Sequence, residues 1–522
     1  MKPKTTLKKL TCLCLSLLLL VSLVACGAKS EDMGMENAMD MEIGNTPNYQ
    51  YSANLGDPSD GVPTEDAGED GTSALRENPF EKTAESPTST FAADVDTASY
   101  TLLRKLAASG YTAEELKRQI QSNPLRTEEL VNYFDYSYAA PGEGELFGQT
   151  ASIVKSPWNE DTYLMVLGLA TQVMESKGAN NLVFLIDVSG SMASADKLPL
   201  LQNAFGTLVS ALDERDTVSI VTYSGKESVV LEGCPGDRDE QIMAAINSLK
   251  ASGSTNGESG LRMAYELAAE YKNSDGNNRI ILASDGDLNV GISSPEELKT
   301  YISEKRDEGI FLSVLGFGTG NYRDDTMSAL AQNGNGVYYY IDCAREAEKV
   351  LGTDLLATLY TVGKDVKLQL TFDATYVSEY RLIGYENRML ATEDFNDDEK
   401  DGGEVGAGHT LTVCYELKLT DQATGDGGST ADWMTLAIRY KKPDETDSNL
   451  TETKLGGSLL TDTPSADTQF VAAVIETAMI LNGSAYNAAA VDLETVYGQL
   501  AALELGDDAD KVEFRAMIEK LL

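Results

Sequence analysis

Hydrophobic residues in the middle of the chain occur in short runs that alternate with helical patterns. Each run is bounded by turn residues, which is typical of a strand buried on both faces of a parallel sheet. The predicted strands are Leu182–Ile186, Thr217–Tyr223, Arg279–Ala283, Phe311–Phe317 and Gly336–Ile341. The helical patterns are Leu198–Leu212, Asp239–Leu249, Gly260–Tyr271, Pro295–Arg306, Asp325–Gln332 and Ala344–Tyr360. This alternation predicts an α/β domain over residues 181–360, with a doubly wound, mostly parallel sheet.

The hydrophobic period changes from 3.6 to 2 after residue 360. Apolar residues alternate with polar ones over 366–372, 411–419 and 434–440. Such alternation indicates half-buried antiparallel strands, so we expect a β-rich flanking region over 361–455. Helical spacing returns near residue 466 in "DTQFVAAVIETAMILNG", which ends in an Asn-Gly stop. The sequence therefore predicts a C-terminal helical segment over 456–522.

Residues 78–180 mix helical and strand patterns and form a second flanking region of α+β type. The two flanking regions both contain strands and lie on either side of the α/β domain. We expect them to pair into one mixed, strand-rich domain from which the α/β domain emerges as an insertion. Such an insertion is tolerated because the two ends of a domain usually lie close together.

The first 25 residues have the pattern of a secretory signal. Lys2, Lys4, Lys8 and Lys9 precede the apolar stretch "LCLSLLLLVSL", which is too short for a spanning helix. The following "LVAC" resembles the lipobox of bacterial lipoproteins, which implies cleavage before Cys26 and lipidation of its thiol, for example with palmitate. This predicts a lipid-anchored protein on the extracytoplasmic face of the cell membrane. An uncleaved anchor and a plain secreted protein are the alternatives.

Residues 26–77 are rich in acidic residues, with Gly, Ser and Pro between them, and contain very few basic ones. Such a segment cannot bury enough apolar surface to fold, so it is interpreted as a flexible acidic linker.

The formal net charge of the chain is −42. This charge argues against nucleic acid as a partner and against electrostatic docking on anionic lipid, because both need clusters of Lys and Arg. His409 is the single histidine, which disfavours histidine-based zinc sites and Ser-His-Asp catalysis. Cys234, Cys343 and Cys414 are far apart and odd in number. They do not form a disulfide framework, although one pair remains possible alongside the interpretation as small buried residues.

Three segments of the α/β domain carry side-chain oxygens where ligands of such folds bind. Asp187, Ser189 and Ser191 follow the first predicted strand, Thr255 lies in the loop "SGSTNGESG", and Asp285 follows the third strand. The carboxyl ends of parallel strands meet at one sheet edge, so these residues are expected to converge. All five supply oxygen, which favours a hard cation such as magnesium, or manganese.

These residues resemble the metal-ion-dependent adhesion site (MIDAS) of von Willebrand factor type A (VWA) domains, whose fold is Rossmann-like. The resemblance implies that Ser189, Ser191 and Thr255 touch the metal directly and that Asp187 and Asp285 act largely through water. The stretches "STFAADVDTASY", "GNGVYYYID" and "YRLIGYENRML" resemble parts of bacterial lipoproteins in which such a domain sits between two flanking regions. The implied function is binding of a protein ligand that presents an Asp or Glu side chain to the metal.

Two other classes of function remain open. A metal-assisted hydrolase would need a general base near the ion, and Asp287 is the one extra carboxylate in the site loops that could serve. No catalytic constellation is recognisable, so the chain is not expected to be an enzyme. A structural or envelope assembly factor, with a metal that only stabilises the domain, is the third reading. A second, looser calcium site is conceivable in the acidic loop 394–404, although a solvated acidic turn is the simpler interpretation.

Overall fold

Three β-sheets organise the part of the chain that the computed structural model describes. This part comprises residues 76–172, 178–254, 257–274, 276–286, 295–318, 324–355, 357, 361–398, 400, 402–425, 427–443, 445–488 and 490–522. The predicted signal segment, the linker up to residue 75, Cys26, Thr255 and Asp287 lie outside the described residues.

The N-terminal flanking region contributes four strands and three helices. The strands are β1 (Glu81–Lys82), β2 (Thr88–Ala92), β3 (Phe147–Lys155) and β4 (Tyr163–Thr171). The helices are α1 (Ala98–Ala108), α2 (Ala113–Ser122) and α3 (Thr127–Asn132). Helix α2 begins at a capping box, in which Thr112 accepts from the backbone of Glu115 and the Glu115 carboxylate accepts from the backbone of Thr112.

The α/β domain follows with six strands in the order β10-β9-β8-β5-β6-β7. The strands are β5 (Asn180–Asp187), β6 (Thr217–Tyr223), β7 (Ser228–Pro235), β8 (Asn277–Ser284), β9 (Phe311–Phe317) and β10 (Tyr338–Ile341). The helices are α4 (Leu198–Val209), α5 (Asp239–Ser248), α6 (Gly257–Glu270), α7 (Pro295–Asp307), α8 (Asp324–Asn333) and α9 (Ala344–Lys349), and a π-helical turn over Val350–Asp354 continues α9.

The predicted doubly wound, mostly parallel sheet is confirmed. Strands β5, β6, β8, β9 and β10 are parallel to their neighbours, and β7 alone runs antiparallel at one edge. Strand β7 was not predicted because only two of its eight residues are buried and its register against β6 shifts twice. An exposed edge strand need not show the hydrophobic pattern of a buried one.

Every residue of strand β5 is buried. Leu182, Phe184 and Ile186 pack into the core beneath α4 and α5, whereas Val183 and Leu185 pack into the core beneath α6 and α7. Because both faces of the strand are covered, its sequence is a continuous apolar run rather than an alternating one. This burial fixes the direction in which the chain leaves the sheet at Asp187.

The C-terminal flanking region supplies the remaining strands and helices. The strands are β11 (Thr361–Phe372), β12 (Val377–Ile383), β13 (Gly403–Gly406), β14 (Thr410–Leu419), β15 (Asp432–Lys441) and β16 (Asn449–Gly456). The helices are α10 (Asp421–Thr424), α11 (Ala466–Asn482), α12 (Leu493–Ala502) and α13 (Ala509–Lys520). The expected stop of α11 is present, since Gly483 takes the left-handed conformation with φ of 73°.

Strands from the two flanking regions pair directly. One sheet has the order β1-β12-β14-β4-β3, and in the other β2 joins β11 beside β13, β15 and β16. The contact between β4 and β14 is antiparallel along their length. The α/β domain is therefore inserted into a strand-rich domain that the chain begins before residue 180 and completes after residue 360, as the fold prediction stated.

No helix within the described residues is both long and apolar enough to cross a membrane. Cys234, Cys343 and Cys414 are all unpaired, and Cys343 is only half-buried whereas the other two are buried. None of the three therefore forms a disulfide with another in the described structure, and all are free thiols.

The acidic loop 394–404 is held by cations of the protein itself. Lys367 Nζ donates to the carbonyl oxygen of Asp394 at 3.2 Å and also to that of Asp397. The Asp398 carboxylate accepts from Arg439 at 3.2 Å. Lys367 and Arg439 thus hold the described part of this loop as an ordered turn, and the calcium site stays a prediction, since Glu399 and Asp401 of the loop lie outside the described residues.

Candidate metal centre

The strand order reverses at β5 in the α/β sheet. The chain runs from β5 to β6 on one side, whereas β8 pairs with β5 on the other side. In open α/β sheets, ligands bind in the crevice outside the carboxyl ends of the strands at such a switch point. Asp187 is the last residue of β5 and Asp285 directly follows β8, so the fold brings these two carboxylates to this crevice.

Asp187 organises the turn that carries the two serines. Its Oδ1 accepts a hydrogen bond from the backbone N–H of Ser189 at 2.7 Å. The Oγ atoms of Ser189 and Ser191 lie 2.9 Å apart. Asp187 and Ser189 are buried, whereas Ser191 is exposed. The site therefore has a buried floor and a rim that solvent or a partner can reach.

The loop that leads to Thr255 lies against the same turn. The backbone N–H of Gly190 donates to the carbonyl of Gly253 at 3.0 Å, and that of Ser252 donates to the carbonyl of Val188 at 2.7 Å. Thr255 itself is outside the described residues, so its predicted role as a ligand is not tested. Ser252 and Gly253, which precede Thr255, lie beside the turn that carries Ser189 and Ser191.

Two carboxylate oxygens at this site have no hydrogen bond of ordinary geometry among the described residues, although the Tyr223 hydroxyl lies close enough to Asp187 to lower the pKa of its carboxyl. They are Asp187 Oδ2 and Asp285 Oδ1, and both residues are buried, with 0% and 6% exposure. Burial raises the pKa of the Asp187 carboxyl to about 6; the charge of Asp285 adds to this rise, while the hydrogen bond from Ser189 opposes it. Buried acceptors without donors are rare because they are costly. Their arrangement beside two hydroxyls fits a hard cation bound by oxygen.

Within the described residues, no three Asp, Glu, His or Cys side chains come together as a metal-ligand group. A metal at the switch point would therefore depend on hydroxyl oxygens in addition to the two carboxylates. Asp287, the candidate base for a hydrolase, falls outside the described residues, so the structure gives no geometry for that alternative.

Lys197 is a residue of this site that the sequence analysis did not identify. Its Nζ donates to Asp285 Oδ2 at 2.8 Å and to the carbonyl oxygen of Ser191 at 3.0 Å. Its position at the start of a helix is the feature of the sequence that could have indicated its role. Lys197 occupies the N-cap position of helix α4, where the helix dipole disfavours a positive charge, so a lysine there calls for a compensating anion.

Three family models match successive parts of the chain. A model described as von Willebrand factor matches residues 67–166, and one described as von Willebrand factor type A domain matches 182–287. The second of these ranges contains all five predicted metal-site residues. A third model, described as the C-terminal part of the uncharacterized protein YfbK, matches residues 357–522.

Relatives with similar sequences cover both the α/β domain and its flanks. YfbK from Escherichia coli K12 is 38% identical over 432 residues, which are 78% of this chain and 74% of YfbK. Human inter-alpha-trypsin inhibitor heavy chain H3 is 30% identical over 261 residues, which are 46% of this chain and 29% of H3. Among solved structures, a von Willebrand factor type A protein from Catenulispora acidiphila is 16% identical, with a TM-score of 0.43, and covers 74% of this chain and 90% of its own.

Proposed function

Since the chain belongs to the YfbK family of bacterial proteins with a von Willebrand factor type A domain, we propose that it binds an acidic protein partner through a divalent cation held between β5 and β8. VWA domains mediate protein–protein interactions, which gives the class of function. The cation dependence, the acidic ligand and the membrane anchor are our proposals. The observation that supports the cation site is the pair of buried oxygens Asp187 Oδ2 and Asp285 Oδ1, for which the described residues supply no donor of ordinary hydrogen-bond geometry.

The residues that would hold the cation divide into neutral and charged groups. Ser189, Ser191 and Thr255 would supply hydroxyl oxygens, and Asp187 and Asp285 would supply buried negative charge behind them. Magnesium, or manganese in its place, suits such a set of hard oxygen donors. When bound among neutral hydroxyls, the cation retains positive charge that is available to an outside carboxylate.

The charge of the whole protein supports a role for a local cation. At a net charge of −42, the surface field repels acidic partners at long range. A carboxylate on a partner would therefore need a positive group at the contact itself, and bound ions are often the largest local charges in a site. Ser191 is exposed, so a partner that reaches the cation would contact it at the rim of the sheet.

We further propose that the protein is anchored to the cell membrane by lipid on Cys26, on the extracytoplasmic face. The basic start, the apolar stretch and the "LVAC" ending of the first 26 residues support this location. The acidic segment 26–77 would then separate the folded domains from the membrane surface. The location agrees with an interaction role, because a tethered VWA domain meets partners of the cell envelope.

Isothermal titration with Mg²⁺ tests the site directly. We expect the wild type to bind the ion, the double variant Ser189→Ala/Ser191→Ala to lose binding, and Asp187→Asn to bind about 10–100-fold more weakly, as for outer-sphere groups of other metal sites. Ser194→Ala is the matched control, because the Ser194 hydroxyl bonds to Asp196 outside the site at 2.6 Å. Equal magnesium affinity in the wild type and the double variant would refute the proposed site.

A further inference from the structure

The side chain of Lys197 is built into the site rather than lying on its surface. Only 13% of it is exposed, although lysine side chains usually extend into water. Its Nζ contacts Asp285, whose other oxygen is one of the two unpartnered acceptors of the site. The ammonium group thus shares a carboxylate with the proposed cation.

Gly318, just after strand β9, makes room for this lysine. A Cβ atom at Gly318 would lie 2.1 Å from Lys197 Cε, so a side chain at this position would force the lysine to shift. Gly318 also has a φ of 79°, a conformation that glycine adopts at little cost. The carbonyl oxygen of Gly318 accepts from the hydroxyl of the buried Tyr340, which fixes the backbone at this point. The ion pair with Asp285 and the space left by Gly318 therefore both favour the buried position of the Lys197 side chain.

We propose that Lys197 is a tethered cation that holds the metal-free site together and competes with the divalent cation for Asp285. This inference rests on the proposed function and concerns the same site. Without metal, the ammonium is the partner that Asp285 has in the described structure, and it offsets part of the negative charge that Asp187 and Asp285 place in a buried crevice. A divalent cation that uses the same carboxylate is repelled by the ammonium at short range.

This competition has a consequence for the affinity of the site. The metal must enter against a positive charge that is already present, so Lys197 weakens binding of Mg²⁺. Removal of that charge frees Asp285 entirely for the metal. Removal also takes away the cation that the described residues provide for these two buried carboxylates, which destabilises the metal-free protein. Loss of the lysine should thus raise magnesium affinity and lower the stability of the metal-free form together.

Isothermal titration of Mg²⁺ into the purified protein tests the inference. We expect Lys197→Met to bind magnesium about tenfold more tightly than the wild type, or more tightly still. The matched control is Lys250→Met, which removes the charge of an exposed lysine at the start of the neighbouring loop and should leave the affinity within about twofold. A second readout is thermal unfolding, in which Lys197→Met should melt below the wild type without metal and gain more from added Mg²⁺.

The outcomes separate the two proposals. If Lys197→Met binds Mg²⁺ as the wild type does or more weakly, while Asp187→Asn impairs binding, the metal site stands and the competing role of Lys197 is wrong. If neither the wild type nor Lys197→Met shows binding that depends on Asp187, the proposed function is wrong. Binding by Lys197→Met together with none by the wild type would refute the proposed function, because the natural site would then be closed to the ion.

Discussion

Arg104 of helix α1 binds both carboxylate oxygens of Asp342, with Nε 2.9 Å from Oδ2 and a terminal nitrogen 2.5 Å from Oδ1. Asp342 directly follows β10, the last strand of the α/β domain, whereas α1 belongs to the N-terminal flanking region. The same guanidinium also contacts Glu346 of α9 at 2.8 Å and Glu513 of α13 at 3.1 Å. One buried arginine therefore connects the inserted domain to both flanking regions.

Removal of this arginine should destabilise the whole fold. Arg104→Ala leaves Asp342 and Glu346, whose side chains are only 5% and 3% exposed, without their shared cation. The loss of one partner from a buried ion pair costs about 3–5 kcal/mol. We expect this decrease in the free energy of unfolding, measured by urea denaturation. Arg215→Ala, which breaks an exposed pair with Asp213, should change little and is the control. Equal effects of the two variants would show that the buried cluster adds no stability.

Partner binding should depend on a divalent cation. Purified protein immobilised as bait and exposed to an extract of the cell envelope should retain a partner in Mg²⁺ and release it in chelator. The Ser189→Ala/Ser191→Ala variant should retain none, whereas Ser194→Ala should behave as the wild type. Replacement of the captured partner's key Asp or Glu by its amide should abolish binding, because the amide carries no charge for the cation to attract. Retention of the same partner in chelator by the double variant would place the interaction on another surface.

Membrane attachment should depend on Cys26. The Cys26→Ala variant should fail to incorporate labelled palmitate and should leave the membrane fraction, since stable anchoring needs lipid chains. Cys12→Ala is the control, because Cys12 lies in the segment that we expect to be cleaved. Membrane retention and lipid label in Cys26→Ala would contradict the anchor.

The free energy of unfolding should decrease as the pH rises from about 4.5 to about 7, because of the buried carboxyl of Glu476. Burial in the core around α11 raises the pKa of this carboxyl to about 7, and Gln499 opposes the rise. In this window the folded protein holds a proton that the unfolded chain has released, so the free energy of unfolding decreases as the pH rises. The contribution amounts to at most about 3.4 kcal/mol, at 1.36 kcal/mol per pKa unit.

The variant Glu476→Gln isolates this effect. We expect it to be more stable than the wild type at pH 8 and to lose that advantage towards pH 5, as measured by urea denaturation at each pH. Glu494→Gln removes the same charge from an exposed position of α12 and should show no such dependence. A constant difference between wild type and Glu476→Gln across this range would refute the assignment.

The sequence was informative wherever the local pattern reflects burial. Strands β6 and β9 begin and end where the apolar runs do, at Thr217–Tyr223 and Phe311–Phe317. Both are covered on two faces and buried at every position after the first, and turn residues mark their ends. Strand β7 gave no such signal, because it is an exposed edge whose side chains need not alternate. Helix α9 is shorter than predicted, since its pattern continues into a π-helical turn at Val350.

By itself the sequence determined the residues of the serine turn, because Asp187, Ser189 and Ser191 are close in the chain and follow a buried strand. It could not place Lys197 beside Asp285, because 88 residues separate them and the order of β5 and β8 in the sheet brings them together. Nor could it show that Arg104 joins the inserted domain to the flanks. Local patterns follow from which residues a single element buries, whereas contacts between charged groups of distant segments depend on how the sheets and helices pack. Only the tertiary structure decided those contacts.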